Sequence, residues 1–267
     1  MTIQTTFPQT GVEARQLIRE GRFIQPTSGV APNYVQANLA ILPQDAAFEF
    51  LLFCQRNPKP CPVVEVLEAG QVEAILTSPG SDIRTDVGLY RVYENGVLVD
   101  EPETLESHWR KDLVTFLLGC SFSFEHALLA NGIDLPYYGS ERNVPMFITD
   151  IETVGSGRFS GPMVVSHRWV PADKVVRAVQ ATSRFPGTHG APIHIGDPAA
   201  IGISDITKPD YGEVWEQGSS DEVPMFWACG VTPQSVAMSS KPELMITHSP
   251  GHMFVTDLKG CEIPSYR

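Results

Sequence analysis

The sequence predicts a mixed α/β fold, and three features of its order support this prediction. Helix-like and strand-like segments alternate along the 267 residues. Residues 193–195 are predicted to form a short buried strand that runs into a helix start at Asp197-Pro198, where an N-cap precedes a proline. The segment 145–195 has the order strand, strand, helix, strand. This order indicates a small two-layer unit inserted in a larger domain.

The individual elements follow from periodicity, caps and turns. Asn95-Gly96 predicts the tight turn of a hairpin. Phe48, Leu51 and Leu52 are predicted to form the buried stripe of an early helix. Thr104–Leu118 is predicted as an amphipathic helix closed by Gly119. The predicted helices cover 11–21, a segment from 43, 104–118, 122–131, 171–183 and a segment from 233, and the predicted strands cover 63–67, 91–100 as a hairpin, 145–149, 163–168, 193–195, 223–228, 244–247 and 253–256.

Composition limits the classes of function. The chain has 19 basic and 31 acidic residues, a net charge of −12, and no Lys/Arg run. Nucleic acid and anionic membrane surfaces are therefore not expected as partners. No apolar run reaches membrane-spanning length. The five cysteines are widely spaced without a CxxC pair, which predicts reduced thiols and a cytoplasmic location.

The run from Arg184 to Asp205 is the predicted floor of an active site. It places His189, His194 and Asp197 among closely spaced glycines and prolines. Histidine exchanges protons near neutral pH, and strand ends that lead into helix starts gather ligands in α/β proteins. We predict that His194 is a base oriented by Asp197 and that His189 is an acid.

Two cysteines are predicted to lie at helix starts. Cys120, followed by Ser121, stands between a predicted helix end and the next helix start, and Cys229 stands between a buried strand and Thr232-Pro233. Backbone N–H groups at such positions lower a thiol pKa and hold anions. With Gly230 and Thr232, these residues are candidates for an oxyanion pocket. Small buried packing cysteines remain the alternative.

Arg84 and Arg184 are candidate binders of a substrate carboxylate, since a guanidinium donates two parallel hydrogen bonds. Alternatively, Asp82 and Asp86 neutralise Arg84 on a solvated loop. His248 and His252 are separated by Pro250-Gly251 and cannot share a helix face as the histidines of a zinc-protease motif do. We therefore expect no cofactor and no metal, with a divalent ion as the less favoured alternative. Residues 155–161 lack the spacing of a nucleotide-binding glycine loop.

Eight segments occur in order between about residue 27 and residue 257: GVAPNYVQANLAILP, SDIRTD, FLLGCSFSFEHALL, NVPMF, GPMVVS, SRFPGTHGAPIHIGDPAAIGI, FWACGVTPQ and THSPGHMFVTDL. Through these segments the chain resembles the hydro-lyase family related to the carboxy-terminal half of mammalian D-glutamate cyclase. The resemblance implies a three-layer αβα domain and a smaller two-layer α/β domain, which we place at 1–140 with 215–267 and at 141–214. It also implies a lyase that releases water, D-glutamate to 5-oxo-D-proline being the best-defined reaction.

Three functions follow as hypotheses. The first is a hydro-lyase acting on a small amino or hydroxy acid, as in D-glutamate cyclisation. The second is a cofactor-independent racemase or epimerase in which Cys120 and Cys229 face each other across the substrate α-carbon. The third is a non-catalytic binding protein for a small dicarboxylate. A homodimer is the prior expectation for an enzyme of this size.

Overall fold

The computed structural model describes residues 7–260 and has a mixed α/β fold, as predicted. Two antiparallel sheets and five α-helices make up its regular structure. The α-helices are α1 (Gly11–Arg19), α2 (Gln44–Arg56), α3 (Glu125–Ala130), α4 (Val175–Thr182) and α5 (Thr232–Ser240). The strands are β1 (Tyr34–Pro43), β2 (Val63–Leu67), β3 (Tyr90–Glu94), β4 (Val97–Asp100), β5 (Leu113–Gly119), β6 (Met146–Glu152), β7 (Pro162–Pro171), β8 (His194–Ile195), β9 (Glu222–Ala228), β10 (Leu244–His248) and β11 (Phe254–Lys259).

The first sheet contains the first and the last strands of the described chain, β1 and β11. Its order is β2-β5-β1-β10-β3-β4, and β11 also pairs with β1. The central strand β1 is buried along nearly its whole length because it pairs with β5 on one edge and with β10 and β11 on the other. Phe50, Phe53 and Phe116 pack together on the α2 side. The opposite face is covered by the turn-rich segment between β2 and β5, through Ile83, Leu105 and their neighbours.

The second sheet has the order β6-β7-β9-β8 and two different faces. One face carries Trp227 and Cys229 and packs towards α3 and α4. The other carries Phe226, Phe147 and Val165, with Ile201 from the loop after β8. Successive strand residues point to opposite faces, so the side chains of β7 and β9 divide between these two environments. The domain division at residues 140 and 215 stays a prediction, although β9 belongs to this sheet rather than to the first.

Most predicted elements agree with the structure, and the exceptions have clear causes. The hairpin is confirmed, with Asn95 and Gly96 both at positive φ. The predicted helix 104–118 is wrong: residues 113–119 form β5, which is buried on both faces and therefore lacks a strand-like alternation. The stripe on α2 is also misassigned, because Phe48 is 74% exposed and the helix buries Phe50 instead.

The two sheets approach closely at two glycines. A Cβ atom on Gly119, at the end of β5, would lie 1.9 Å from the carbonyl oxygen of Gly187. A Cβ atom on Gly230 would lie 1.8 Å from the Asn38 amide nitrogen. At Gly119 a larger residue would push the backbone of Gly187 away, and at Gly230 it would displace the buried Asn38 side chain from its hydrogen bonds to the Leu118 and Gly119 carbonyl oxygens.

Gly119→Ala is therefore expected to lower the free energy of unfolding by about 1–3 kcal/mol or more, as overpacking does. Urea denaturation measures the loss. Gly155→Ala is the matched control, since its nearest foreign atom would lie 3.5 Å away and little change is expected. Equal stability of the two variants would contradict the close approach.

His167 predicts a pH effect on stability. It lies on the Phe226 face against Trp169 and Phe147, and its Nε2 has no hydrogen-bond partner among residues 7–260. Burial lowers the pKa of His167 from 6.5 to about 3. As pH falls below 6.5 the unfolded chain takes up a proton that the folded chain does not, so stability falls until about pH 3.

His167→Phe should remove this contribution. Relative to the parent, the variant is expected to gain about 1.4 kcal/mol of stability per pH unit between pH 6 and 4. Denaturant unfolding at several pH values measures the gain. His108→Gln, on the surface beside Asp100, serves as the control, and a parallel pH dependence in His167→Phe and the parent would refute the assignment.

Candidate active site

A buried ion pair marks the place where the two sheets meet. Arg168 of β7 donates to Glu125 of α3 at 3.1 Å, and both side chains are fully buried. Arg168 also donates to the hydroxyls of Ser121 at 3.2 Å and Ser166 at 3.0 Å. Ser28 donates to the second oxygen of Glu125 at 2.7 Å. The pair therefore ties the second sheet to the segment that follows β5 of the first.

Aromatic rings surround the guanidinium of Arg168. Its central carbon lies 5.3 Å from the ring centre of Trp227, 5.5 Å from Phe124 and 5.8 Å from Tyr137. Such contacts offset part of the cost of burying the charge. Burial raises the pKa of Glu125, against the opposing effects of Arg168 and Ser28. Arg168 Nε lacks a hydrogen-bond acceptor within the described part of the chain, and buried polar atoms normally have one.

Cys120 and Cys229 belong to the same buried cluster as the rings around Arg168. Each follows a strand that is paired on both sides, β5 or β9, and precedes a helix start. Burial raises the pKa of Cys229 to about 11, and it raises that of Cys120 further, with the nearby Cys229 thiol adding to the effect. The backbone N–H groups of Phe122 and Val231 oppose these shifts. The helix-start positions are as predicted, but both thiols are protonated at neutral pH because burial outweighs the N–H groups.

His189 lies in the turn after α4, and the carbonyl of Gly187 in this turn packs against Gly119, the residue before Cys120. His189 is 1% exposed, and its Nδ1 donates to the carbonyl oxygen of Lys59 at 2.7 Å. Its Nε2 has no partner in residues 7–260. Burial lowers the pKa of His189 to about 4, and the positive charge of Arg168 acts in the same direction. The imidazole is therefore neutral, with its lone pair on Nε2.

His194 does not join this cluster. It pairs with Phe226 across β8 and β9, and its ring lies 5.8 Å from the Phe226 ring, on the face opposite Trp227 and Cys229. Its Nε2 contacts the backbone oxygen of Asp197 at 2.7 Å, whereas the Asp197 carboxylate accepts from Ala199 N–H. The predicted orientation of His194 by that carboxylate is wrong, because the carboxylate caps the short 3-10 helix that follows.

The two predicted carboxylate-binding arginines also lie outside the cluster. Arg84 donates through Nε and Nη2 to Asp82 at 2.9 and 2.6 Å on a partly exposed loop. Asp86 instead accepts from Arg19. Arg184 is exposed at the end of α4. The solvated-loop alternative is therefore correct for Asp82, which pairs with Arg84, and wrong for Asp86, which pairs with Arg19.

The remaining predicted residues have mixed outcomes. Ser121 lies in the cluster through its contact with Arg168. The Thr232 hydroxyl donates to the Cys229 carbonyl oxygen at 2.6 Å and accepts from Val164 N–H, so it braces the turn before α5. Gly230 lies against Asn38 and provides the close approach described above. Among residues 7–260, no three His, Cys, Asp or Glu side chains are grouped so that they could hold a metal ion.

Sequence reasoning missed Arg168, Glu125 and Tyr137. A signal was present for the first two: Arg168 stands inside the otherwise apolar strand MVVSHRWV, and Glu125 stands inside FSFEHALL. A charged residue within a buried segment needs a partner of opposite charge. Two such residues in one chain are candidates to pair. Tyr137 lies in a turn with no comparable signal.

Comparison with known proteins places the chain beside relatives of similar length. The sequence profile described as D-glutamate cyclase matches residues 114–257. A protein of Geobacillus kaustophilus named "Putative hydro-lyase GK2103" is 59% identical over 94% of this chain and 95% of its own length. Hydro-lyases of the same naming from Stutzerimonas stutzeri and Corynebacterium urealyticum are 57% and 54% identical, over 92% and 96% of both chains.

Among solved structures, a nitrogen repressor-like protein from Methanococcus jannaschii, MJ0159, has a TM-score of 0.38 and 10% identity over 94% of this chain and 99% of its own. That level of similarity supports no statement on fold or function. Within residues 7–260, no helix has the length and apolar character needed to cross a membrane.

The buried pair makes a direct prediction. Arg168→Met leaves the Glu125 carboxylate buried without its cation, and a loss of about 3–5 kcal/mol in the free energy of unfolding is expected. The double variant Arg168→Met/Glu125→Leu removes both charges and should recover most of the loss. Urea denaturation of both variants tests this. A single variant that loses less than about 1 kcal/mol would show that the pair is not a stabilising contact.

Proposed function

Because the chain belongs to the D-glutamate cyclase family, we propose that it is a lyase that removes water from a small amino acid, with D-glutamate as substrate and 5-oxo-D-proline as product. The observation that carries the proposal is the Arg168 cluster. Among residues 7–260, Arg168 Nε has no hydrogen-bond partner, and the thiols of Cys120 and Cys229 are protonated. The neutral imidazole of His189, on the turn that packs against the residue before Cys120, likewise has an Nε2 without a partner in this range. Cyclisation needs these same elements: a carboxylate anchor, a base and a proton donor.

The α-carboxylate is proposed to bind Arg168, in the role that the sequence suggested for Arg84 or Arg184. His189 Nε2 takes a proton from the substrate ammonium, so His189 is the base rather than the acid. The free amine then attacks the γ-carboxyl carbon, a C–N bond forms and a C–O bond breaks. The two protons that the ammonium loses end on the departing oxygen as water, and the thiol of Cys120 or Cys229 relays one of them. The amine and the γ-carboxyl group belong to the same molecule. Holding the substrate in the bent conformation that brings them together therefore supplies much of the rate gain.

Backbone N–H groups complete the scheme. Those at the two helix starts after Cys120 and Cys229 are proposed to stabilise the negative charge that builds on the γ-carboxyl oxygen, as oxyanion donors do. The cluster is closed, so the elements around it must separate for the substrate to bind. A narrow pocket lined by Tyr137, Asn143 and Trp215 adjoins the cluster. A larger groove, lined in part by Phe48 and Val66, shares no residue with the cluster.

The test is turnover by the purified chain. It is incubated with D-glutamate, L-glutamate and a panel of amino and hydroxy acids, and an 18-dalton loss is followed by mass spectrometry with chiral separation of 5-oxoproline. Turnover that persists after chelator treatment supports a reaction without a metal. Binding of D-glutamate without any turnover would favour the dicarboxylate-binding alternative and refute the lyase.

Arg168→Lys is expected to lower kcat/KM by about 10- to 100-fold, which corresponds to the loss of one charge-assisted hydrogen bond. Arg184→Lys, at an exposed position outside the cluster, is the matched control and should keep the parent rate. Circular dichroism confirms that both variants are folded. A folded Arg168→Lys variant with the parent rate would remove Arg168 from the reaction.

A second function is favoured by one observation: Cys120 and Cys229 lie in the same buried cluster, close enough that Cys229 adds to the raised pKa of Cys120. Two thiols on opposite sides of an α-carbon would exchange its proton and invert the centre, as in a cofactor-independent racemase. In deuterated water this enzyme incorporates deuterium at Cα, whereas the lyase does not. Cys120→Ser and Cys229→Ser should each abolish the exchange if it occurs.

A further inference from the structure

The turn that carries His189 packs against the end of β5. Residues Pro186–Thr188 form a short 3-10 helix, and His189 follows at φ 81°, in the left-handed region. A non-glycine residue in this region costs about 1–2 kcal/mol. The carbonyl of Gly187 lies against Gly119, directly before Cys120. Such a backbone persists only where surrounding contacts hold it.

Lys59 supplies such contacts both as an acceptor and as a donor of hydrogen bonds. Its backbone oxygen accepts the hydrogen bond from His189 Nδ1 at 2.7 Å. Its ammonium donates to the backbone oxygen of His189 at 3.1 Å and to that of Ala191 at 2.6 Å. One residue therefore holds the imidazole through its main chain and the turn through its side chain.

The first contact determines the imidazole tautomer. A carbonyl oxygen cannot donate, so His189 Nδ1 must carry the hydrogen in this arrangement. In a neutral ring the other nitrogen, Nε2, then carries the lone pair. Nε2 is buried and has no hydrogen-bond partner in the described residues. The unpartnered nitrogen is thus an acceptor of protons.

The segment that carries Lys59 is itself fixed. The Asn57 side chain donates to the backbone oxygens of Phe53 and Val154 and accepts from Val154 N–H. Cys61 N–H donates to the Asn57 carbonyl oxygen, which closes the turn around Lys59. The carbonyl of Lys59 is therefore held on a braced turn that connects α2 to β2.

We propose that Lys59 is a positioning residue of the active site. Its carbonyl selects the Nδ1–H tautomer of His189, and its ammonium holds the left-handed turn, so that unprotonated Nε2 is presented to the substrate. The role of His189 as base rests on the function proposed above, whereas the tautomer does not. Lys59 touches no substrate in this scheme and acts through His189.

The first experiment reads the tautomer directly. Long-range ¹H–¹⁵N correlation spectra of the full chain near pH 7 report which ring nitrogen carries the hydrogen, and His189→Gln identifies the His189 signals by their loss. The expected result is a protonated Nδ1 and an unprotonated Nε2. A ring protonated at Nε2 would overturn the proposal, whether or not the chain turns over any substrate.

The second experiment separates positioning from general stability. Lys59→Met removes the ammonium, and Lys59→Arg restores a cation. Lys59→Met is expected to give a mixture of His189 tautomers and a kcat at least tenfold lower, with little change in KM, since small displacements of a base slow the reaction strongly. Lys59→Arg should recover most of both readouts. Lys208→Met, at an exposed lysine paired with Asp205, controls for loss of a surface charge.

Each result of these experiments supports or refutes the positioning role of Lys59. A folded Lys59→Met variant with the parent tautomer and parent kcat would refute the positioning role. If Lys59→Met does not fold, the parent spectrum still tests the tautomer that the Lys59 carbonyl selects, and Lys59→Arg still tests the role of the cation. If no glutamate is turned over, the tautomer of His189 and its dependence on Lys59 remain measurable, so failure of the proposed function is distinguished from failure of this inference.

Discussion

The requirement that a buried charge be paired explains why the two sheets meet where they do. Arg168 comes from the second sheet, and Glu125 comes from the helix that follows the first. Neither can be buried alone without a large cost in free energy, so each fixes the position of the other. The serines that bond to the pair and the three rings around the guanidinium complete its environment. Cys120 and Cys229 lie in the same cluster as the rings around this pair. Cys120 follows β5, just before the segment that carries Glu125, and Cys229 follows β9, the neighbour of the strand that carries Arg168.

Burial has opposite chemical effects on the members of this cluster. It disfavours the charged form of every group, so the thiols keep their protons and the imidazole of His189 stays neutral. A donor and an acceptor of protons therefore coexist at neutral pH without any change in their surroundings. The arrangement resembles other sites in which neighbouring titratable groups are held in different states by their environments. Arg168 and Glu125 lie against each other as a buried pair of opposite type.

The sequence predicted the fold well where local signals were strong and failed where burial decided the outcome. Asn95-Gly96 defined its hairpin because both residues accept positive φ. β5 was missed because a strand buried on both faces shows no alternation. For the site, the predicted helix starts after Cys120 and Cys229 are present in the structure, while the roles of Cys120, Ser121, Cys229 and His189 stay predictions. His194 was misassigned because a single residue of register decides which face of a sheet a side chain occupies, and no local pattern records it.

The position of β1 has a consequence for how the protein is made. This strand lies near the start of the chain, yet two of its three partners, β10 and β11, are separated from it by about 200 residues. On a ribosome, β1, β2 and β5 emerge long before those partners, so the edge of β1 that pairs with β10 and β11 stays unpaired. The second sheet, whose strands lie between residues 146 and 228, is complete earlier. Nascent chains halted before residue 244 would therefore expose a half-built sheet, and chaperones that shield apolar strands have their longest opportunity to act there.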